Sequence, residues 1–272
     1  MKKNSIMAVF IIVLISFSYY LLSRSDSARS QNNDSEHTAT VFVHGYKGTL
    51  HSFQSMLYRF EHEYGWGKKS LICRVTKEGN VLVTEPSSYD ANDNVFIQVH
   101  FESNRASFKD TSYWLSKVMY VLKEKYDIGQ MNIVSHSMGG LITTKYLEDY
   151  SKDSSYPKVK KFIAIGSPFN GLKNRQYLEK NNGEAKYDLM PNSKALQDLY
   201  KHRKDFPTEV EVYAIAGTGD QLVTVKSAQA LEKIVPASNY KETIIDDRSI
   251  SHSGLHESVK VDRLVGNFLW NN

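Results

Sequence analysis

The chain has 272 residues, 41% hydrophobic and 24% charged, with a formal net charge of +4. That suits one globular domain with a sizeable core, or one domain with an insertion and a tail. The basic residues are mixed with acidic ones, which argues against a nucleic-acid partner, and the single cysteine, Cys73, excludes an intrachain disulfide.

The first element predicted is a targeting segment. Met1, Lys2 and Lys3 form a positive start, and Ile6 to Leu22 is nearly all apolar. That run is long for a signal core and at the short limit of a membrane-spanning helix. A linker rich in Ser, Asn, Asp and Arg follows from Ser23 to Ser35. No cysteine follows the apolar run, so a lipoprotein anchor is not expected. The expectation is export, with residues 1–37 as signal or uncleaved anchor and a domain over 38–272. That domain faces the outside of the cell, or is secreted if the segment is cleaved.

Thr38 to Val43 reads as a buried strand running into the glycine turn His44 to Gly48. The Tyr46 N–H there is one expected oxyanion donor, and His44 is expected to pack the turn rather than act as a base. Phe53, Met56, Leu57 and Phe60 make a covering helix of Ser52 to Tyr64. Ser70 to Val83 reads as two strands about the turn Lys77 to Asn80, and Val95 to Phe101 as a strand with alternation. Asp110 and Thr111 are expected to cap a helix with Trp114, Leu115, Val118, Val121 and Leu122 inward. Alternation of strands and helices predicts an α/β fold: a mostly parallel sheet with helices on both faces.

Asn132 to Leu141 reads N-I-V-S-H-S-M-G-G-L. This is a strand entering a helix through a turn tight enough to need small residues on either side of its tip. Ser137 sits at that tip, as in a nucleophile elbow, with the Met138 N–H as second oxyanion donor. Gly139 meets the demand for a small residue; Ser135 stands where G-x-S-x-G has its first glycine. Val159 to Ile165 is the next strand. A polar segment follows to Pro207, with helical pieces at Gln176–Lys180 and Lys194–His202. A small cap insertion is expected over 172–207, with Phe169, Leu172, Leu189 and Met190 lining an acyl or leaving-group pocket.

Glu209 to Ala216 reads as a strand that delivers Asp220 on its following loop, where the acid of a triad belongs. Asp246 and Asp247 are its competitors. After a strand at Thr243 to Ile245, the segment Ser251 to Glu257 offers His252 and His256. His252 is the expected base, coming first on the loop, and His256 a structural residue or supporting donor. No ligand cluster completes a site around this histidine pair, so no metal is expected. Val261 to Trp270 closes the chain as an amphipathic helix.

Ser, Asp and His in that order follow the α/β-hydrolase sequence of triad residues. V-F-V-H-G-Y-K-G-T (41–49), N-I-V-S-H-S-M-G-G (132–140), G-S-P-F-N-G (166–171), D-Q-L-V (220–223) and S-H-S-G-L-H-E (251–257) narrow the match. With these motifs the chain resembles the DUF915 family of lipase-like hydrolases, described as cell-surface hydrolases of Gram-positive bacteria. The resemblance covers about residues 38 to 272. It implies Ser137 as nucleophile, Asp220 as acid and His252 as base. Ser135 replaces the family's usual glycine, and D-Q-L-V stands where D-G-V-V is commoner. The expected activity is hydrolysis of a small-molecule or lipid ester through an acyl-enzyme, with no cofactor. An acyltransferase, thioesterase or amidase would use the same residues, and an inactive surface-binding module is the alternative of another class.

Overall fold

The structure, a computed structural model, describes residues 38–90 and 93–270. The expected anchor at Ile6 to Leu22 lies outside them. Among the described residues, no helix is long and apolar enough to cross a membrane.

Eight strands form one sheet: β1 (Ala39–Val43), β2 (Lys68–Val75), β3 (Val81–Thr84), β4 (Val95–Phe101), β5 (Gln130–His136), β6 (Lys158–Ile165), β7 (Glu211–Gly217) and β8 (Tyr240–Ile245). Their order across the sheet is β3-β2-β4-β1-β5-β6-β7-β8. Every neighbouring pair is parallel except β2 and β3. That hairpin turns on Gly79, whose φ of +78° is open to glycine at little cost.

Side chains alternate along each strand, so each feeds two cores. Val41 and Val43 of β1 pack on one face, Phe42 on the other. The Phe42 face is covered by a helical run and by the final helix. The run starts as a 3₁₀ turn at Leu50–Phe53, continues as α1 (Gln54–Tyr58) and ends in π-type turns at Arg59–Glu63. Phe53, Met56, Leu57 and Phe60 are all buried there. The other face is covered chiefly by α2 (Phe108–Tyr126) and α3 (Met138–Tyr150).

Two local expectations are corrected. β4 does not alternate between core and solvent; nearly all of it is buried, because it lies between β2 and β1 with a core on each face. Its polar Gln98 is accommodated by donating to the Leu50 carbonyl at 2.6 Å. The cap of α2 is Ser107, not Asp110 or Thr111: its hydroxyl accepts from the Asp110 N–H. Asp110 sits inside the first turn, where a carboxylate also favours the helix dipole.

Between β6 and β7 the chain forms α4 (Arg175–Glu179), α5 (Ala185–Asp188) and α6 (Lys194–His202). The one-turn α5 is too short to leave a periodic pattern in sequence. After β7 comes α7 (Val225–Gln229), and α8 (Val259–Trp270) closes the described chain.

The strand order fixes where a site can form. From β1 the chain moves to one side through β2, β3 and β4; from β5 onward it moves to the other. Loops leaving the carboxyl ends of β1 and β5 therefore diverge and leave a crevice, the usual ligand position in such sheets.

Candidate active site

Ser137 follows β5 and precedes α3, with φ +57° and ψ −130°. A non-glycine residue held there stores about 1–3 kcal/mol of strain. Two contacts impose it. The Ser137 N–H donates to the Ile165 carbonyl at 2.9 Å, and the Gly140 N–H starts the helix by donating to the Ser137 carbonyl at 3.0 Å. The Ser137 hydroxyl makes no helix-cap bond.

Small residues let the loops close in. A Cβ on Gly139 would lie 2.3 Å from the Val43 carbonyl oxygen, and one on Gly140 would lie 2.2 Å from Ser167 Oγ. A Cβ on Gly45 would lie 2.7 Å from Ser137 Cβ and 2.9 Å from the Met138 nitrogen. The β1 turn therefore touches the elbow. Ser135 fits where glycine is usual because its hydroxyl hydrogen-bonds Thr143 Oγ1 at 2.7 Å inside the core.

His252 lies on the loop after β8, its Nε2 2.9 Å from Ser137 Oγ. Its Nδ1 is 2.7 Å from Asp220 Oδ2. The carboxylate can only accept, so Nδ1 carries the proton and Nε2 faces the serine hydroxyl as acceptor. Asp220 Oδ1 accepts from the Leu222 and Val223 N–H groups, each at 2.8 Å. Both carboxylate oxygens are thus satisfied in a nearly buried position. Gly166 passes beside this pair at φ +55°; a Cβ there would stand 3.3 Å from Asp220 Oδ2 and 3.5 Å from His252 Nδ1.

The competitors lie elsewhere. Asp247 pairs with Lys260 at 2.6 Å, and Asp246 accepts from Thr218 Oγ1 at 3.0 Å. His44 is buried, with Nδ1–H donating to the Gly45 carbonyl at 2.8 Å and Nε2 accepting from the Phe101 N–H at 3.1 Å. Burial lowers its pKa to about 4, so it is a neutral strut of the turn.

His136 was visible in the motif, but its role was not. Its Nε2–H donates to the His252 carbonyl at 3.0 Å, and its ring lies 4.6 Å from that of His252 and 4.5 Å from that of His256. Burial holds the His136 pKa well below the usual imidazole value and lowers that of His256 to about 4. A neutral His136 ring therefore backs His252, with His256 packed against His136 in turn. The His136 ring meets that of His252 at a tilt and that of His256 edge-on, and among the described residues no group of three or more His, Cys, Asp or Glu side chains converges as a metal site.

A cavity of about 330 Å³ opens over Ser137. Tyr46, Ser52, Tyr177 and Leu222 line it, with Leu172 and Leu189. Met190 lies on an adjoining groove that shares Leu172. Phe169 is fully buried beneath, its carbonyl accepting from Tyr200 Oη at 3.1 Å, and lines neither. The Tyr46 and Met138 N–H groups, expected as oxyanion donors, donate to no group among the described residues.

A mostly parallel eight-stranded sheet with a strained serine at a central strand-to-helix turn defines an α/β hydrolase. The chain belongs to the family described as alpha/beta hydrolase of unknown function (DUF915), which it matches over residues 27–272. It is similar to the lin2722 gene product of Listeria innocua, at 31% identity, covering 86% of this chain and 94% of that one with a TM-score of 0.73. A Lactobacillus plantarum WCFS1 protein, provisionally described as a cell surface hydrolase, is 24% identical over 87% of this chain and 93% of that one, with a TM-score of 0.68. The fold is shared with Bacillus licheniformis lipase BlEst2 at 16% identity, covering 86% and 92% of the two chains, with a TM-score of 0.57. No curated protein matches the chain at a significant level.

Proposed function

We propose that the chain is a serine hydrolase of carboxylic esters that works outside the cytoplasm. The observation that carries this is the continuous relay from Ser137 Oγ through His252 to Asp220, with links of 2.9 and 2.7 Å. Ser137 attacks the ester carbonyl while His252 Nε2 takes its proton. Asp220 holds the imidazole in that tautomer and stabilises the imidazolium. The carbonyl oxygen becomes an oxyanion held by the Tyr46 and Met138 N–H groups, the second at the amino end of α3, where the helix dipole favours negative charge. His252 then protonates the leaving alcohol. In the second half, His252 takes a proton from water, the hydroxide attacks the acyl-enzyme, and the acid leaves as Ser137 regains its proton.

Residues 1–37 serve export in this proposal, with residues 38–272 as the hydrolase domain and 172–207 as its cap. The name given to the Lactobacillus plantarum protein supports the outer location. Fluorophosphonate labelling of the chain, with Ser137→Ala, His252→Ala and His256→Ala beside it, tests the assignment. Labelling and p-nitrophenyl ester hydrolysis should vanish in the first two variants and persist in the third. A Ser137→Ala protein that still hydrolyses esters at the original rate would sink it.

A further inference from the structure

We infer that Arg105, on the loop after β4, and Asn182, in the cap, are positioning residues that clamp the Tyr46 turn and so set the oxyanion amide. The inference rests on the role proposed above for the Tyr46 N–H. The base of this turn is fixed by the buried His44, but its tip, Tyr46 and Lys47, reaches the cavity and is held from outside.

Two segments grip that tip. From the loop after β4, the Asn104 carbonyl accepts the Lys47 N–H at 2.8 Å, and Asn104 Nδ2 donates to the Gly48 carbonyl at 2.9 Å. From the cap, the Asn182 carbonyl accepts the Tyr46 hydroxyl, and Asn181 Oδ1 accepts Lys47 Nζ at 2.8 Å. Arg105 joins the two. Its guanidinium donates to Asn182 Oδ1 and lies 5.9 Å from the centre of the Tyr46 ring. Its carbonyl accepts the Ala185 N–H at 3.3 Å. Gly183, at φ +90°, lets the cap chain press on Arg105; a Cβ there would meet Arg105 Cβ at 2.6 Å.

The magnitudes favour positioning over bulk stability. Exposed hydrogen bonds and cation–π contacts of this kind each contribute little to the stability of the fold. Yet these converge on one residue whose amide must be held to within about 0.5 Å to serve a transition state. Lys47 adds a local need for restraint, since its φ of +63° is unfavourable for a side-chain-bearing residue.

The test keeps the Tyr46 amide and removes its supports: Tyr46→Phe, Arg105→Ala and the double variant. Three quantities are read: the rate constant of fluorophosphonate labelling, kcat and KM for p-nitrophenyl acetate, and inhibition by phenylboronic acid, whose tetrahedral adduct occupies the oxyanion hole. Deleting an oxyanion donor costs on the order of 10²–10³ in rate, so loosening one should cost about tenfold. The expectation is a tenfold fall in labelling rate and kcat, KM within twofold, and boronate binding weaker by the same factor. The double variant should fall little further, because both changes open one clamp. Wild-type labelling with both variants within twofold of it overturns the clamp and leaves the hydrolase proposal standing. So does a loss that appears in KM or in melting temperature but not in boronate binding. A wild-type chain that neither labels nor turns over overturns the hydrolase proposal, and the clamp with it.

Discussion

Gly45→Ala isolates the fit between the β1 turn and the elbow. Gly45 is not in the left-handed region, so alanine meets no conformational penalty there and the cost is one of space. The new methyl would stand 2.7 Å from Ser137 Cβ, 2.8 Å from the His136 carbonyl oxygen and 2.9 Å from the Met138 nitrogen. Carbon contacts are comfortable from about 3.5 Å, so something must move by up to about 1 Å. Two of the three neighbours are backbone atoms of the elbow, already fixed by sheet and helix bonds, so the turn carrying Tyr46 moves instead. A misplacement of about 1 Å at a catalytic group can cost about 10²-fold, or about 2.7 kcal/mol of barrier. Overpacking should take a further ~1–3 kcal/mol from stability. The assay is kcat/KM for p-nitrophenyl acetate with a thermal melt of the same sample. Gly129→Ala is the control, since a Cβ there meets nothing within 4 Å, and it should alter neither. A folded Gly45→Ala protein within threefold of wild type would refute the reasoning.

Asp220→Asn should lower kcat by about 10⁴ with the fold intact. Oδ1 receives two backbone N–H groups, so the carboxamide oxygen must stay there and its NH₂ must face His252 Nδ1, which drives the ring proton onto Nε2; a loss under tenfold in steady-state kinetics contradicts this. His44 and His256 have folded pKa values lowered to about 4 against 6.5 unfolded, so the unfolded chain binds more protons between those limits. The stability they contribute is fully present above pH 6.5 and lost as pH falls toward 4, about 3 kcal/mol for each; a melting temperature that stays flat across that window refutes it. Glu148 is buried with both carboxylate oxygens unpartnered, and burial raises its pKa to about 9. Its sign is opposite: the native state holds the extra proton, so stability present below pH 4.5 falls as pH rises toward 9. Glu148→Leu should therefore raise the melting temperature more at pH 9 than at pH 5, and an equal shift at both refutes the burial argument. Asp262, fully buried against Arg59, anchors α8 to the helical run. Asp262→Ala leaves the guanidinium without its carboxylate and should cost about 3–5 kcal/mol in denaturant unfolding.

Strands that enter tight turns left the clearest marks in the sequence. Val41, Phe42 and Val43 announce β1 because a strand buried on both faces needs apolar residues at successive positions. Asp220 is set apart from Asp246 and Asp247 in the sequence because it follows the penultimate strand, whereas the other two end the last strand, close to the histidine. What the sequence did not disclose was made by contacts across long separations. Ser107 and Asp110 are both plausible helix caps; the choice rests on where the chain leaves β4. The alternation of β4 was misleading because Gln98 looks solvent-facing until the turn at Leu50–Phe53 is placed over it. Asn182 carries no signal at all, since its partners Tyr46 and Arg105 lie 136 and 77 residues away.

Ser135 shows how a contact eight positions on decides a local rule. Glycine is usual two residues before the nucleophile because the strand and the following helix approach too closely for a larger side chain. Here the added hydroxymethyl group is matched by Thr143, in the second turn of α3, and the two hydroxyls bond to each other at 2.7 Å with no exposure to water. A buried hydroxyl without that partner would cost about 1–3 kcal/mol at the point where Ser137 already stores strain. The substitution is therefore compatible with the elbow only as a pair. The second residue of the pair stands eight positions on, in a helix whose other buried polar residue on the same turn, Thr144, bonds back to the Gly140 carbonyl at 2.9 Å. The motif that matters physically is Ser135 with Thr143, not Ser135 in place of glycine. A serine at this position signals an intact elbow when the helix supplies the hydroxyl that receives it.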